Sequence, residues 1–280
     1  MKKISRRSFL AAAGLSVAAL ALTACGGSSS SVASSVASSA AASSEAASTS
    51  AAAGELTTVE AGKLTMATNA TFPPYEMTTD AGDIEGIDVE TAQAIADKLG
   101  LELQIDDMDF DAALLSVQQG KADIVMAGVT VTDERKAVMD FSDSYATGIQ
   151  SIIVPEGSDI ASPDDLAGKK IGTQRGTTGY IYCSDDFGDE NVVAYDDGLT
   201  AVQALNNGQV DAVVIDNAPA QEFIAANPGL KILDTSYAEE DYAIGMAKGS
   251  SLEDAVNAAL KELKADGTLQ SIVDKYITAE

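Results

Sequence analysis

Short apolar runs alternate with segments of helical periodicity along most of the chain. Residues 88–99 place Val89, Ala92, Ile95 and Leu99 on one face, which is the 3.6-residue period of an amphipathic helix. The pattern predicts strands at 63–68, 101–105, 123–126, 150–154, 170–173, 192–195, 210–215 and 230–233, and helices at 88–99, 111–119 and 199–206, with a further helix opened by the turn at 176–179. This alternation predicts parallel sheets covered by helices, an α/β architecture.

One stretch of this pattern occurs twice. Residues 116–125, SVQQGKADIV, resemble residues 204–213, ALNNGQVDAV: in each, a glycine ends a helix and an aspartate precedes a β-branched strand. The first strand leads to a loop with Arg135, and the second leads to Asp216. Ligands in open α/β sheets bind at the carboxyl ends of the strands. Two such sheets facing each other would therefore present a cation and an anion across one cleft.

The loop that follows the first copy has the composition of an anion site. Thr132 is a predicted helix N-cap, and Arg135 lies one turn inside that helix, near Gly128 and Thr130. Backbone N–H groups, a hydroxyl and a guanidinium can bind one carboxylate together, and arginine contacts it through two parallel hydrogen bonds. A surface arginine on a capped helix is the alternative interpretation of this segment taken alone.

The first 58 residues predict export rather than a folded domain. Four basic residues precede an apolar run at 9–22, which is too short to span a bilayer and has the organisation of a signal peptide over residues 1–24. LTAC at 22–25 resembles a bacterial lipobox, so we expect cleavage before Cys25 and lipidation of its thiol. Ser, Ala and Gly dominate residues 25–58, which predicts a flexible tether. SRRSFL at 5–10 resembles the twin-arginine motif, so that route and the general secretory route both remain open.

Charge and composition narrow the function further. The formal net charge of −26 argues against nucleic acid as a partner, since that would need a basic patch. The chain has no histidine, which excludes histidine-ligated metals and catalysis by a Ser–His or Cys–His pair. With Cys25 lipidated, Cys183 is the only thiol; it is interpreted as a small buried hydrophobe, with a reactive thiol as the alternative. We expect no metal and no cofactor.

Several motifs together resemble one family. They are TNATFPPYE at 68–76, GIDVE at 86–90, GVTVTDER at 128–135, GTTG at 176–179 and ADGTL at 265–269, followed by Tyr276. Over residues 63–277 the chain resembles an extracellular solute-binding protein of the polar amino-acid family, the receptor component of an ABC importer. It departs once from the family pattern, with Thr91 where a large aliphatic residue is usual, at a position expected to pack a helix rather than contact ligand.

The resemblance implies a two-lobe, periplasmic-binding-protein-like fold of type II, in which each lobe is a mostly parallel sheet flanked by helices. The chain would cross between the lobes twice, near 150–154 and 241–246. Lobe 1 is then discontinuous, with residues 59–150 and 245–280, and lobe 2 comprises residues 151–244. Closure of the lobes over a ligand would be a hinge motion about the two crossings.

The resemblance also implies the ligand contacts. Arg135 would bind the α-carboxylate of an amino acid with help from Thr130, the Gly128 backbone and the helix N-terminus at Thr178, and Asp216 would bind the α-ammonium. Phe72 and Phe110 would wall the side-chain pocket, and Asn69 and Gln174 would face the ligand side chain. The predicted ligand-binding residues are Asn69, Phe72, Phe110, Gly128, Thr130, Arg135, Gln174, Thr178 and Asp216.

Three of these assignments have alternatives. Asp216 is also a plausible helix N-cap, and Phe110 also suits ordinary core packing. The neutral amides of Asn69 and Gln174 favour an uncharged polar amino acid. Glu76 and the acidic run at 106–109 keep a basic ligand open, although such acids more often belong to a solvated loop.

The predicted function is that of a receptor that delivers a free amino acid to the transmembrane subunits of an ABC permease. It would be a monomer, anchored by lipid on Cys25 to the outer face of the cytoplasmic membrane, at the cell surface or in the periplasm, and it would not be an enzyme. One alternative is an enzyme on the same scaffold, similar to cyclohexadienyl dehydratases, which would need a general acid or base of shifted pKa. Another is a ligand-sensing module.

Overall fold

The structure is a computed structural model that describes residues 56–277. The predicted signal peptide, Cys25 and nearly all of the predicted tether lie outside the described residues. Leu56, the first described residue, already packs against the main hydrophobic core. Among the described residues, no helix combines the length and the apolar character needed to cross a membrane.

The described residues form fourteen strands and eight α-helices. The strands are β1 (Lys63–Thr68), β2 (Thr71–Phe72), β3 (Glu76–Thr78), β4 (Ile84–Glu85), β5 (Glu102–Asp107), β6 (Ile124–Val125), β7 (Met139–Phe141), β8 (Ala146–Pro155), β9 (Ile171–Gln174), β10 (Val192–Tyr195), β11 (Ala212–Asp216), β12 (Leu230–Ile232), β13 (Ala238–Tyr242) and β14 (Gly245–Ala247). The helices are α1 (Ile87–Leu99), α2 (Phe110–Gln118), α3 (Asp133–Val138), α4 (Thr178–Phe187), α5 (Gly198–Asn206), α6 (Asn217–Ala226), α7 (Glu253–Ala265) and α8 (Thr268–Tyr276).

Most strands belong to two separate sheets. The first has the order β5-β1-β6-β14-β7, and the second has the order β10-β9-β11-β8-β12, with β13 also paired to β8. A small third sheet, β2-β3-β4, links the end of β1 to the start of α1. The predicted α/β fold with two crossings is confirmed.

Each large sheet is mixed rather than mostly parallel, which corrects one detail of the prediction. Strands joined through a helix pair in parallel: β1 with β5 and β6, and β9 with β10 and β11. Strand β14 pairs antiparallel with β6 and β7, and β8 pairs antiparallel with β11, β12 and β13. Every antiparallel pair in the two large sheets involves β8 or β14, the strands that follow the two crossings.

The chain passes between the two large sheets at two short segments. Residues 142–145 join β7 to β8, and residues 243–244 join β13 to β14. Strand β8 lies wholly in the second sheet, so the first passage comes a few residues before the expected 150–154. Helices α7 and α8 follow β14 and pack against α1 beside the first sheet. Lys275 on α8 bonds Glu90 on α1, and Lys98 on α1 bonds Glu262 on α7.

Gly86 sets the entry angle of α1. Its φ of 138° lies in the region that side chains other than glycine rarely adopt, and a Cβ atom there would overlap the carbonyl group of Tyr75. The close approach lets the amides of Ile87 and Asp88 donate to the carbonyls of Pro74 and Tyr75. These bonds hold the first turn of α1 against the small third sheet, with the Asp88 side chain fully buried.

We expect the substitution Gly86→Ala to destabilise the protein by about 3 kcal/mol, because strained backbone and a backbone clash add together. Urea unfolding followed by circular dichroism measures the change. Gly82→Ala is the matched control, because its φ of 90° brings similar strain but a Cβ there meets no atom within 4 Å. Equal losses in the two variants would contradict the close approach at Gly86.

Candidate functional site

A buried cavity lies where the carboxyl ends of β1, β6, β9 and β11 face each other. Its lining combines aromatic side chains, amides, hydroxyls, two carboxylates and one guanidinium. The lining residues are Asn69, Phe72, Glu76, Phe110, Ala127, Gly128, Thr130, Arg135, Gln150, Gln174, Thr177, Thr178, Ile215 and Asp216. All nine residues predicted to contact ligand are among them. Their ligand contacts stay a prediction, but the structure brings every one of them to a single place.

Arg135 is a buried cation held by backbone carbonyls. The Thr132 hydroxyl caps α3 by accepting from the Arg135 backbone N–H. The guanidinium donates to the carbonyl of Thr130 (2.8 Å) and, from the facing sheet, to the carbonyl of Gly176 (3.1 Å). It lies 5.4 Å from the centre of the Phe110 ring. Only 8% of Arg135 is exposed, and burial lowers the pKa of its guanidinium. No carboxylate of the described residues lies within ion-pair distance of this guanidinium.

The backbone N–H of Gly128 already has a partner within the protein. It donates to Oδ2 of Asp88 (3.0 Å), which also accepts from the hydroxyl of Tyr145 (2.8 Å). A Cβ atom at Gly128 would approach the Phe72 ring to 2.8 Å, so glycine allows the loop to lie against this ring. Gly128 therefore shapes the cavity, and its amide holds Asp88.

Asp216 ends β11 and is joined to a second buried acid through an amide. Gln150 on β8 donates from Nε2 to Asp216 Oδ2 (2.6 Å) and to Glu240 Oε2 (3.1 Å). Asp216 directly precedes α6, but its side chain makes no capping bond, so the N-cap interpretation does not describe it. Burial and the neighbouring Glu240 charge raise the pKa of Asp216 to about 7. The buried hydroxyl of Tyr242 also interacts with this carboxyl group.

Glu240 lies on β13, behind the cavity lining. Its Oε2 atom accepts from the hydroxyls of Thr130 (3.1 Å) and Thr178 (2.9 Å), which come from the loops of opposite sheets. With the Gln150 amide, three donors converge on this one oxygen. The sequence placed Glu240 inside the acidic run 239–241, where nothing distinguished it from a solvated charge.

Glu76 corrects the expectation of a solvated loop. It begins β3, is 0% exposed and lines the cavity. Among the described residues no N–H or alcohol donor reaches its carboxyl group, which shares a hydrogen bond with the carboxyl group of Asp88. Burial and the nearby Asp88 carboxylate raise the pKa of Glu76 well above its usual range, and burial raises the pKa of Asp88 to about 6. The acidic run at 106–109 lies outside the cavity, where Asp107 accepts from the Ala70 N–H.

The amides of Asn69 and Gln174 bond each other across the cavity. Gln174 donates to Asn69 Oδ1 (2.9 Å), and Asn69 donates to the carbonyl of Met108 (3.0 Å). Thr71 donates to the same Asn69 oxygen (2.9 Å). Because these groups are already paired within the protein, they are weak support for an uncharged polar ligand.

Charge is strongly unbalanced around this cavity. Four buried carboxyl groups, those of Glu76, Asp88, Asp216 and Glu240, lie at or directly behind its wall, against the single guanidinium of Arg135.

Cys183 lies outside this cavity, fully buried in the core of the second sheet. Burial raises the pKa of its thiol to about 12, which favours the interpretation as a small hydrophobe. Gln150 lines the cavity but was not predicted to do so, because in the sequence it is only a polar residue at the edge of an apolar strand.

Two facing α/β sheets with a charged cavity between them define a binding protein for a small ionic solute. The chain belongs to the bacterial extracellular solute-binding proteins, family 3, whose family model matches residues 64–279. It is 34% identical to the L-cystine-binding protein TcyJ of Escherichia coli over 226 residues, covering 79% of this chain and 85% of that protein. It is also 34% identical to the arginine-binding extracellular protein ArtP of Bacillus subtilis over 228 residues, covering 78% and 87%.

The fold of this chain also matches solved structures of amino-acid-binding proteins. A structure of an ancestral arginine-binding protein bound to arginine has a TM-score of 0.73 and 42% identity, covering 77% of this chain and 98% of that one. The arginine-, lysine-, histidine-binding protein ArtJ of Geobacillus stearothermophilus has a TM-score of 0.75 and 34% identity, covering 78% and 96%. The predicted family, fold and role as an extracytoplasmic substrate-binding receptor are confirmed.

The ligand-free protein should resist ionisation of Asp216. The pKa of this group is raised from 3.8 to about 7, so the folded state binds more protons than the unfolded chain between these values and loses stability as the pH rises through them. We expect Asp216→Asn to match the wild type in thermal stability near pH 4 and to exceed it by several degrees in Tm near pH 8.

Differential scanning calorimetry of ligand-stripped protein at a series of pH values measures this difference. The exposed Asp254 provides the control, since Asp254→Asn should give a difference that does not grow with pH. An Asp216→Asn variant that is less stable than the wild type near pH 8 would contradict the cost assigned to the buried charge.

Proposed function

We propose that this protein captures a free α-amino acid with a cationic side chain between its two large sheets and delivers it to an ABC permease. One observation carries the choice of side chain. Glu76 lines the cavity and is completely buried, and among the described residues no N–H or alcohol donor reaches its carboxyl group, whose hydrogen-bond partner is the neighbouring carboxyl group of Asp88. A buried carboxylate is costly until a cation with hydrogen-bond donors contacts it, and a guanidinium or ammonium group supplies both.

The carboxylate end of the ligand belongs at Arg135. The buried guanidinium has two donors committed to backbone carbonyls and keeps others for an anion. The first turn of α4, which begins at Thr178, adds backbone N–H groups and the positive end of a helix dipole from the facing sheet. A ligand carboxylate between them would be bound by both sheets at once.

The α-ammonium belongs at Asp216. Gln150 fixes its Oδ2, the buried Tyr242 hydroxyl is the other neighbouring donor, and lone pairs of the carboxylate remain for an ammonium group. The side chain would then extend between the rings of Phe72 and Phe110 toward Glu76, so that apolar walls contact its methylene groups and the carboxylate contacts its cationic end. The relatives named as arginine-binding support this choice over an uncharged polar side chain.

The remaining expectations complete the proposal. The first large sheet with α7 and α8 forms lobe 1, the second forms lobe 2, and the segments 142–145 and 243–244 act as hinges. The hydrogen bonds from Arg135 to Gly176 and from Gln174 to Asn69 join the two sheets, which supports a closed arrangement. The protein works as a monomer, held to the outer face of the membrane by lipid on Cys25, and its partners are the permease subunits.

An enzyme on this scaffold is the second candidate, because Glu76 and Asp216 have raised pKa values of the kind a general acid needs. We favour a receptor because the relatives are named as amino-acid-binding proteins and the cavity holds a cation and carboxyl groups at separate points, as binding of a zwitterion requires. Incubation with each bound ligand, followed by mass spectrometry, separates the two: a receptor returns it unchanged.

Calorimetric titration of unfolded and refolded protein, which removes any bound ligand, tests the proposal. We expect one-to-one binding of L-arginine or L-lysine at least about tenfold tighter than of L-glutamine, since only a cation pairs with Glu76. L-Leucine should not bind measurably. Tightest binding of an uncharged amino acid would contradict the cationic side chain while leaving the receptor role intact.

Binding of a cationic amino acid should also release protons. Burial raises the pKa of both Glu76 and Asp216 in the free protein, and a bound cation favours their charged forms. We expect L-arginine to release more protons than L-glutamine at about pH 7, because only L-arginine ionises Glu76. Titrations in buffers of different ionisation enthalpy count these protons.

The variant Glu76→Gln isolates this contribution. It should weaken L-arginine binding on the order of a hundredfold and should reduce the release to that seen with a neutral amino acid. Glu85→Gln, on the neighbouring strand β4 and away from the cavity, is the control and should change neither quantity. Equal proton release by L-arginine in the wild type and in Glu76→Gln would refute the contact.

A further inference from the structure

Glu240 does not line the cavity, yet it accepts hydrogen bonds from three residues that do. Its Oε2 atom lies 3.1 Å from the Thr130 hydroxyl, 2.9 Å from the Thr178 hydroxyl and 3.1 Å from the Gln150 amide nitrogen. Only 7% of Glu240 is exposed. Three donors thus converge on one buried carboxylate oxygen.

This arrangement fixes the direction of the bonds. A threonine hydroxyl has a single proton, and Glu240 Oε2 is the acceptor in both threonine bonds. Thr130 and Thr178 therefore both spend their protons on Glu240. The two hydroxyl oxygens lie 3.4 Å apart, and neither has a proton left for the other. Each oxygen can offer only lone pairs to anything bound in the cavity.

The amide of Gln150 is fixed in the same way. One N–H points to Glu240 and the other to Asp216, so the amide nitrogen has no proton left. Gln150 Oε1 is buried without a partner, and the buried Tyr242 hydroxyl interacts with the Asp216 carboxyl group. This end of the cavity, defined by Thr130, Gln150, Thr178 and Asp216 and called here the acceptor end, presents side-chain acceptors, and none of these four side chains has a free donor.

We propose that Glu240 is a positioning residue that sets the hydrogen-bond direction at the acceptor end and so makes this end specific for the ligand ammonium group. An ammonium carries three donors and no acceptor, which matches the lone pairs of the threonine oxygens and of Asp216. The sequence-based role of Thr130, a hydroxyl donor to the ligand carboxylate, is replaced by that of an acceptor. This inference rests on the proposed function, because it requires an α-amino acid in the cavity.

The proposal also explains why an acid lies behind the wall of a cavity that already holds Asp216 and Glu76. A neutral glutamine at position 240 could donate to one threonine, which would free that hydroxyl to turn its proton toward the ligand. A proton facing the ammonium replaces an attraction with a repulsion. Specificity at this end would then be lost without any change in the residues that touch the ligand.

The variant Glu240→Gln, which keeps the shape of the side chain, tests this on two probes. They are L-arginine and 5-guanidinopentanoate, which has the same carboxylate and guanidinium but no α-ammonium. We expect the variant to bind L-arginine more weakly by roughly tenfold or more, the cost of losing a hydrogen bond to a charged group. Its affinity for 5-guanidinopentanoate should stay within about threefold of the wild type.

Two controls separate positioning from a general structural defect. Glu239→Gln changes the exposed neighbour on the same strand and should leave both affinities unchanged. Thr130→Val removes one acceptor, so a double variant with Glu240→Gln should lose less L-arginine affinity than the product of the two single losses, as expected when one residue acts through the other. Thermal melts of each variant report the folded state.

Equal loss of both probes in Glu240→Gln, or fully additive effects with Thr130→Val, would overturn the proposal. If the wild type binds a different amino acid, the same comparison uses that amino acid and its analogue without the α-amino group. A wild type that binds no α-amino acid would refute the proposed function, and this inference with it. Failure of the inference alone is recognised by intact wild-type binding with no selective loss in the variant.

Discussion

Buried charge without an internal partner is the constraint on which this site depends. Arg135 has no carboxylate at ion-pair distance among the described residues, while Glu76 lies beside another acid, Asp88, and Asp216 is contacted by the uncharged donors of Gln150 and Tyr242. A buried ionic group without an oppositely charged partner costs free energy. Arg135 cannot pair with the acids to remove this cost, because the strands that position these residues hold them apart. A ligand with charges of both signs removes it. A bound molecule therefore stabilises the closed cavity more, the better its charges match the positions of the buried guanidinium and carboxyl groups.

The fold produces this pattern through strand ends that belong to different sheets. Strands β6 and β11 deliver the loop of Arg135 and the carboxylate of Asp216 to opposite sides of one cavity, and the small sheet that begins at Thr71 brings in Glu76. Strand β13 adds Glu240 just before the chain crosses back at 243–244. Its bonds to Thr130 and Thr178 join loops of both sheets next to the crossing. The contacts that would orient the ligand are thus also contacts that would break when the sheets separate.

Local pattern was enough to predict the strand–helix alternation, and the repeated glycine–aspartate motif was enough to place Arg135 and Asp216 at strand ends on one cleft. The mixed strand directions were missed because β7, β13 and β14 are short and pair with strands far away in sequence. For a related reason Glu76 was left open between a basic-ligand contact and a solvated loop, and Gln150 and Glu240 were missed. Whether an acid is solvated or buried depends on which distant segments cover it, and Glu76 is covered by a turn that requires the backbone of Gly86 against Tyr75. No residue near Glu240 in the sequence signals that two threonine hydroxyls point at it.

The cavity selects its ligand by charge at three residues: Arg135 for the carboxylate, Asp216 for the α-ammonium and Glu76 for the cationic side chain. The most direct test compares L-arginine with L-citrulline, which has nearly the same shape and hydrogen-bonding reach but an uncharged ureido group in place of the guanidinium. Calorimetry near pH 7 on ligand-stripped protein should give L-arginine an affinity on the order of a hundredfold higher, the effect of pairing a buried carboxylate with a charge. Equal affinities would mean that Glu76 is bound to no ligand cation, and the account of the side-chain pocket would be wrong.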